Sequence, residues 1–183
     1  MNDMLFNNVK LELIRGDIAA QADMDAVVNA ANAQLRTGGG VAGAIHGAAG
    51  PGLTEETRPM APIKPGEAVI SGGHNLPNDY IIHCLGPIYG RDKPEDKLLG
   101  FCYKNALEVA EDHDIKRIAF PAISTGVFGY PPRDAAKVAF ETIKNEIPQL
   151  KSVQLIRIVL WSEDAMRIHR EVRDEIFPGN NRG

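Results

Sequence analysis

Short apolar segments alternate with longer amphipathic segments along the chain, and this alternation constrains the fold more than any other feature. The six apolar segments are 8–17, 25–32, 67–71, 80–87, 117–125 and 155–161. The last four lack a clean polar–apolar alternation, which is typical of strands that are covered on both faces. Amphipathic segments with apolar side chains at helical spacing are 95–114, 132–147 and 162–176. This order predicts one α/β domain over residues 1–183, with a largely parallel central sheet.

Composition and charge exclude several classes of function for this 183-residue chain. The net charge of −4 provides no general basic surface for duplex nucleic acid. Cys84 and Cys102 lie in apolar segments and no two histidines have metal-ligand spacing, so we predict no disulfide, metal or cofactor. No secretory signal and no apolar run of about 18 residues is present. We therefore expect a cytoplasmic monomer that contacts no membrane and ends in a frayed tail at 178–183.

The segment from Asn29 to Gly52, NAANAQLRTGGGVAGAIHGAAGPG, contains three consecutive glycines and almost no charge. Three of its glycines, beginning with Gly38, fit the dinucleotide pattern G-x-G-x-x-G. A dinucleotide fold needs the first glycine directly after a strand, but here eight residues intervene. We reject the dinucleotide fold. The glycines instead predict close approach of the backbone to a ligand, with a helix from Val41 or Ala42 directing N–H groups at an anion.

A second glycine-rich loop, ISTGVFGYP, follows the fifth apolar segment. Its Ser124 and Thr125 offer hydroxyl groups, and Gly126 and Gly129 offer backbone freedom. Each loop taken alone has an alternative interpretation as a tight turn that binds nothing. Two such loops at one edge of a parallel sheet, without lysine or arginine, favour a pyrophosphate held by backbone amides.

Other strand ends carry polar or aromatic residues that leave alternatives open. Asp17 either accepts a hydrogen bond from an adenine amino group or closes a turn. Asn29 and Asn32 either bind sugar hydroxyls or form turns. Phe128 either faces a ligand or folds into the core, and Trp161 either stacks on a base or packs at the rim of the core.

The histidines and the loop serine give weaker indications of catalysis. His83 interrupts an apolar segment, which favours a core histidine over a catalytic base. His46 lies in a small-residue helix, where it either leans on the site or only packs. We expect His169 on the surface, as for the loop histidines. Ser124 has no evident histidine or aspartate relay that would make it a nucleophile.

Five motifs in their order along the chain resemble those of the macrodomain family of ADP-ribose-binding modules. They are GDI at 16–18, VVNAAN at 27–32, GGGVAGAIHGAAGP at 38–51, IIHCLGP at 81–87 and PAISTGVFGYP at 121–131. Each motif alone is weak, but together they span nearly the whole chain. The resemblance implies a three-layer α/β/α sandwich around a mixed sheet.

The resemblance also implies a role for each matching position. Asp17 and Ile18 would bind adenine, and Trp161 matches the position where related proteins place an aromatic ring on that base. Asn32 would hold the distal ribose, with Phe128 packed near it. Two backbone segments would enclose the pyrophosphate. The first is Gly39, Gly40, Val41 and Ala42, and the second is Ser124, Thr125, Gly126, Val127 and Phe128. The residues implied for catalysis are Asn32, Gly40 and Phe128.

One position departs from the pattern of hydrolytic members that resemble MacroD. They carry an aspartate ten residues after the last asparagine of VVNAAN, where this chain has Ala42. That aspartate is thought to help activate water, and an alanine can neither orient nor deprotonate water. Loss of one general base removes about 10²–10⁴-fold in rate.

Three functions are compatible with these observations. The leading hypothesis is an enzyme that hydrolyses mono-ADP-ribose esters on acidic side chains of modified proteins, or O-acetyl-ADP-ribose, with a water positioned by loop backbone and phosphate. The second is an ADP-ribose-binding module without turnover, which Ala42 favours. The third is an RNA-associated regulatory protein, which the net charge of −4 disfavours.

Overall fold

The computed structural model describes residues 3–179 and contains one seven-stranded sheet with helices on both faces. The strands are β1 (Asp3–Phe6), β2 (Val9–Arg15), β3 (Ala26–Ala30), β4 (Ala68–Gly72), β5 (Tyr80–Cys84), β6 (Arg117–Phe120) and β7 (Leu155–Leu160). The helices are α1 (Gly40–Ala49), α2 (Gly52–Thr57), α3 (Glu95–Asp112), α4 (Pro132–Glu146) and α5 (Glu163–Ile176). Short 3₁₀ turns lie at Arg58–Met60 and Ile147–Gln149.

The sheet has the strand order β1-β2-β7-β6-β3-β5-β4. All neighbours from β2 to β5 are parallel, while β1 and β4 pair antiparallel at the two edges. The predicted mixed, largely parallel sheet is therefore confirmed. Residues 180–183 of the predicted tail lie outside the described residues.

Alternate residues of the central strands face opposite layers, because successive side chains of a strand point to opposite faces. One face carries Val28, Ile82, Phe120 and Ile158, which pack with α3, α4 and α5. The other carries Val27, Ile81, Ala119 and Val159, which pack with α1 and α2. The two clusters complete the predicted three-layer sandwich.

The chain leaves neighbouring strands β3 and β6 in opposite directions along the sheet, from β3 toward β5 and from β6 toward β7. α1 follows β3 onto one face, and α4 follows β6 onto the other. Between strands that diverge in this way a crevice forms at their carboxyl ends, where open α/β sheets bind ligands. The topology therefore places the binding crevice beside the start of α1.

Several local predictions differ from the structure. The alternation of apolar and amphipathic segments did not reveal β1 or the six-residue α2. α1 begins at Gly40, one or two residues before the predicted start at Val41 or Ala42. β4 is less buried than the prediction of a strand covered on both faces implies, since most of its residues are half-buried. α3 and α2 both contact it, but it lies at the edge of the described sheet, where it pairs with β5 alone. Ser162 caps the N-terminus of α5, because its Oγ accepts a hydrogen bond from the Ala165 N–H at 3.1 Å.

Candidate functional site

A cavity of about 610 Å³ lies at the carboxyl ends of β2, β6 and β7, next to the start of α1. Its walls come from the segments that follow these strands and from the first turns of three helices. They are Gly16–Ile18, Gly40, Val41, Ala44, Pro121, Ala122, Thr125, Gly126, Pro132, Val159–Ser162, Asp164, Ala165, Ile168 and His169. Among residues 3–179, no lysine or arginine lines the cavity, so backbone N–H groups are its main means of holding an anion.

The start of α1 presents unpaired backbone donors to this cavity. Gly40 has φ +56°, a conformation that glycine adopts without strain. The first turn contains no acidic residue, and no side chain caps it. Because the positive end of the helix dipole is neither capped nor neutralised, it favours a bound anion.

A close backbone approach holds the glycine turn against α1. A Cβ on Gly43 would overlap the carbonyl oxygen of Gly38, so the turn can pack there only against a glycine. The Gly43 N–H also donates to the Gly39 oxygen at 3.2 Å. The three-glycine run and Gly43 therefore act together to position the first turn of α1.

The second loop, Ser124–Gly129, borders the cavity through Thr125 and Gly126 and has unpaired backbone N–H groups. Ser124 is 6% exposed with φ +68°, an uncommon conformation for a non-glycine residue that is concentrated at functional sites. Within residues 3–179, the backbone N–H groups of Gly126, Val127 and Phe128 donate to no other group. The Thr125 hydroxyl donates to the Ala122 oxygen at 2.8 Å. The loop is ordered by its own hydrogen bonds while three consecutive amides remain available.

Asp17 and Ile18 form one wall of the cavity, directly after β2. One carboxylate oxygen of Asp17 accepts a hydrogen bond from the Ala19 N–H at 2.9 Å, so this residue does close a turn. The side chain nevertheless remains exposed, whereas Ile18 is buried. The two interpretations of Asp17 are therefore compatible: the turn fixes the carboxylate in place at the cavity wall.

Trp161 lies at the rim of the cavity with 78% of its surface exposed. Its backbone oxygen accepts a hydrogen bond from Arg15 Nε at 3.3 Å, which joins the ends of β7 and β2. An exposed indole with a fixed backbone is suited to stacking on a planar ligand. The core-rim interpretation of Trp161 is wrong for this structure.

Asn32 and Ala42 lie outside the cavity walls and meet at Gly38. A Cβ on Gly38 would lie 3.3 Å from Asn32 Nδ2 and 4.0 Å from the Ala42 methyl group. At 100° per residue, Ala42 faces about 150° away from the cavity-facing side of α1. The Asn32 amide donates to the Arg36 oxygen and accepts from the Arg36 N–H, at 2.7 and 3.2 Å. These residues form a second cluster beside the start of α1.

Phe128 packs on the neighbours of Asn32, against a small apolar cluster that contains Ala31 and Leu35. Its ring is half-buried, and Val127 before it is completely exposed. The structure therefore brings Phe128 toward Asn32 rather than into the cavity wall. The predicted site residues divide accordingly. Cavity walls contain Asp17, Ile18, Gly40, Val41, Thr125, Gly126 and Trp161; the remainder lie next to these walls.

Both interpretations of Asn29, sugar binding and turn formation, are wrong, because the residue lies within β3. Asn29 is completely buried and bonds through Nδ2 to His83 Nδ1 at 3.1 Å. The other ring nitrogen of His83 pairs with Ser71 Oγ at 2.9 Å, which confirms the core interpretation of this histidine. Burial, with a smaller contribution from His46, lowers the pKa of His83 to about 3. The ring is therefore neutral at physiological pH.

His169 is a cavity residue that sequence reasoning placed on the surface. It is 3% exposed and lines the cavity floor, and its Nδ1 donates to the Ala165 oxygen at 2.8 Å. Burial lowers its pKa, and the neutral ring keeps Nε2 as an acceptor. The signal was present in the sequence, because His169 lies four residues after Ala165 on the apolar stripe of α5.

The sequence model of the macro domain family matches residues 28–139, which include α1, the Ser124–Gly129 loop and the strands between them. The chain belongs to the macro domain family. A macro domain-containing protein of Methanosarcina mazei is 42% identical over 175 residues, covering 95% of this chain and 93% of that protein. The bovine ADP-ribose glycohydrolase MACROD1 is 42% identical, covering 93% of this chain and 53% of that protein.

A solved structure with the same fold is the macrodomain of Oceanobacillus iheyensis with ADP. It has a TM-score of 0.89 and 39% identity, and the alignment covers 95% of each chain. In the part of this chain that the structure describes, no three His, Cys, Asp or Glu side chains are grouped to hold a metal ion. No helix within those same residues is long and apolar enough to cross a membrane.

Proposed function

We propose that this macrodomain binds ADP-ribose in the cavity and hydrolyses mono-ADP-ribose esters on acidic side chains of modified proteins. The observation that carries the proposal is the presence of two sets of unpaired backbone donors at one end of the cavity. These are the first turn of α1 and the amides from Gly126 to Phe128, of which Gly126 lines the cavity and the next two lie beside it. Together they match the two phosphates of a nucleoside diphosphate.

The remaining walls fit the other parts of the ligand. Adenine fits between Ile18 and the Trp161 ring, with its amino group donating to Asp17. The distal ribose then extends past Gly40 toward Asn32 and Phe128, outside the cavity proper. The names of the bovine relative, an ADP-ribose glycohydrolase, and of the ADP complex from Oceanobacillus iheyensis support this ligand.

Hydrolysis in this arrangement depends on positioning rather than on a strong base. The loop amides and the phosphates would hold a water at the distal ribose, while Asn32 orients the sugar. Gly40 and Phe128 would enclose the distal ribose, which is the reacting end of the ligand. O-acetyl-ADP-ribose presents an ester at the same place, so the same geometry would remove its acetyl group. No metal enters this mechanism.

Two measurements test the proposal. Calorimetry of the purified protein with ADP-ribose is expected to give a single site with a stoichiometry of about one. A protein mono-ADP-ribosylated on glutamate is expected to lose its modification when incubated with catalytic amounts of this protein. Absence of heat on ADP-ribose addition would refute the binding step. If the substrate protein stays fully modified at high concentrations of this protein, hydrolysis is refuted but binding is not.

A module that binds ADP-ribose without turnover is the second candidate, and Ala42 favours it. The buried methyl group at this position offers no acid or base to the distal ribose. Tight ADP-ribose binding combined with a blank hydrolysis assay would establish this alternative. The described part of the chain offers no corresponding feature for the RNA-associated function, because no lysine or arginine there lines the cavity.

Substitution of the rim indole tests the adenine position. We expect Trp161→Ala to weaken ADP-ribose binding about tenfold, since stacking on a base is worth about 1–3 kcal/mol. The side chain is 78% exposed, so the free energy of unfolding should change by less than about 0.5 kcal/mol. Calorimetry and thermal unfolding measure the two quantities.

Two control variants accompany this measurement. Trp161→Phe keeps an aromatic ring and should retain most of the affinity. Phe101→Ala removes another exposed aromatic side chain, on α3, and should leave affinity unchanged. Equal affinities of the native protein and Trp161→Ala would exclude stacking of this indole on adenine.

A further inference from the structure

A second groove, of about 770 Å³, lies between the start of α3 and the outer face of α4. Four carboxylates line it: Glu95, Asp96, Asp134 and Glu141. Lys93 and Lys137 also line it, so the groove has an excess of two negative charges. It has no part in the adenine or phosphate sites proposed above.

None of these four carboxylates has a partner in the described part of the chain. No lysine, arginine or histidine within residues 3–179 lies within ion-pair distance of them, and no backbone N–H donates to their oxygens. Elsewhere on this surface, exposed carboxylates such as Glu171 and Asp164 are paired with arginines. A group of unpaired carboxylates around one groove creates a local negative potential that attracts a cation.

A largely buried tyrosine presents a polar group to the groove. Tyr130 lines the groove and is only 4% exposed, and its hydroxyl makes no hydrogen bond within residues 3–179. The hydroxyl oxygen itself is not enclosed and is accessible at the groove surface. Burial of the ring, and then the charges of Asp96 and Glu95, raise the pKa of Tyr130 to about 12, so the hydroxyl stays protonated. It is therefore available to accept a hydrogen bond from a ligand in the groove.

Aromatic surface completes the groove. The ring centroids of Tyr89 and Tyr130 are 4.9 Å apart, and the ring planes are tilted by 59°. The surface of Tyr89 is 43% exposed. The face of a tyrosine ring attracts a cation, most strongly a guanidinium group. Carboxylates, an unpaired hydroxyl and ring faces in one groove are the chemistry that holds a basic side chain.

The groove is joined directly to the second phosphate loop. The Tyr89 N–H donates to the Phe128 oxygen at 2.9 Å, and the Tyr130 N–H donates to the Ser124 oxygen at 2.9 Å. Phe128 lies on the side of the proposed distal ribose, from which a modified protein would extend. A residue close to the modified side chain would therefore pass over this loop toward Tyr89.

We propose that this groove binds a lysine or arginine side chain of the ADP-ribosylated protein, close in sequence to the modified residue. The inference rests on the proposed function, because the modified protein reaches the groove only when its ADP-ribose occupies the cavity. Binding would give the enzyme a preference for modification sites with a basic neighbour. The preference would fall as salt is added, since the groove carboxylates are largely solvent-exposed.

Two synthetic peptides test this inference. Both carry ADP-ribose on a stable amide-linked analogue of modified glutamate; one has arginines beside it, and the other has glutamines. We expect the native protein to bind the arginine peptide about fivefold more tightly, which is typical of partly exposed ion pairs. Free ADP-ribose is titrated in parallel as the reference ligand.

Matched charge variants test whether the groove carboxylates cause the preference for the arginine peptide. Asp96→Asn combined with Glu141→Gln should abolish it, with affinity for free ADP-ribose unchanged. Glu108→Gln combined with Asp112→Asn removes the same charge from exposed positions of α3 outside the groove, and should keep the preference. Tyr130→Phe removes only the unpaired hydroxyl and should reduce the difference in affinity between the arginine and glutamine peptides.

The outcomes separate the two proposals. If free ADP-ribose binds but the two peptides bind equally, the groove has no role in substrate recognition. The same conclusion follows if the groove variant keeps the preference. If free ADP-ribose does not bind at all, the proposed function itself fails.

Discussion

Replacement of Ala42 by aspartate is expected to raise the rate of ADP-ribosyl ester hydrolysis by about 10²-fold or more. The position lies in the first turn of α1, where the helix dipole stabilises a carboxylate. The adjacent Gly38 has no side chain, so the larger residue has room on that side. Single-turnover rates on a glutamate-modified protein measure the effect.

The Ala42→Asn variant is the matched control, because its side chain has the same size as aspartate but cannot accept a proton. Both variants are expected to bind ADP-ribose with the native affinity, since Ala42 faces away from the cavity walls. A rate that rises equally in both variants would show that side-chain volume, rather than a base, limits turnover. If both variants hydrolyse the ester at the rate of the native protein, water is activated without a side-chain group at position 42.

Gly43→Ala is expected to destabilise the protein by about 1–3 kcal/mol and to weaken ADP-ribose binding by on the order of 10²-fold. A Cβ at this position would overlap the carbonyl oxygen of Gly38, so the glycine turn must move away from α1. That turn carries the amides that we assign to the pyrophosphate. Chemical denaturation and calorimetry give the two quantities.

Gly47→Ala provides the matched control on the same helix. A Cβ on Gly47 has nothing within 4 Å, so only the helix propensity changes. We expect this variant to be more stable by about 0.5–1 kcal/mol and to bind ADP-ribose normally. A Gly43→Ala protein with native affinity would show that the amides of the turn do not hold the phosphates.

The element types of this fold were readable from local pattern, and the errors have local causes. Residues 155–160 are apolar except for Arg157 and lie within a predicted strand, and the structure confirms them as β7. β1 was missed because Asp3–Phe6 is short and pairs only at a sheet edge. The half-burial of β4 was not predicted, because apolar residues do not reveal whether a strand lies at the edge of its sheet.

The candidate site followed from the same pattern only in part. The glycine loops after β3 and β6 were found because both follow apolar segments and therefore lie at one edge of a parallel sheet. His169 was misplaced because its ring contacts Phe140 of α4, a contact that no local pattern records. The pairing of Asn29 with His83 was missed because an asparagine at a strand end looks the same whether it faces solvent or a buried histidine.

The sequence by itself determined the α/β class, the family resemblance, the two phosphate loops and the absence of an acid at position 42. These properties depend on residues that are near one another along the chain. Only the tertiary structure decided that Asp17, Gly40 and Trp161 share one cavity while Asn32 and Ala42 lie beside it. It also brought Tyr130 and the unpaired carboxylates of α3 and α4 into one groove. The physical reason is that strand order and helix packing join segments more than 100 residues apart, and no local period records those contacts.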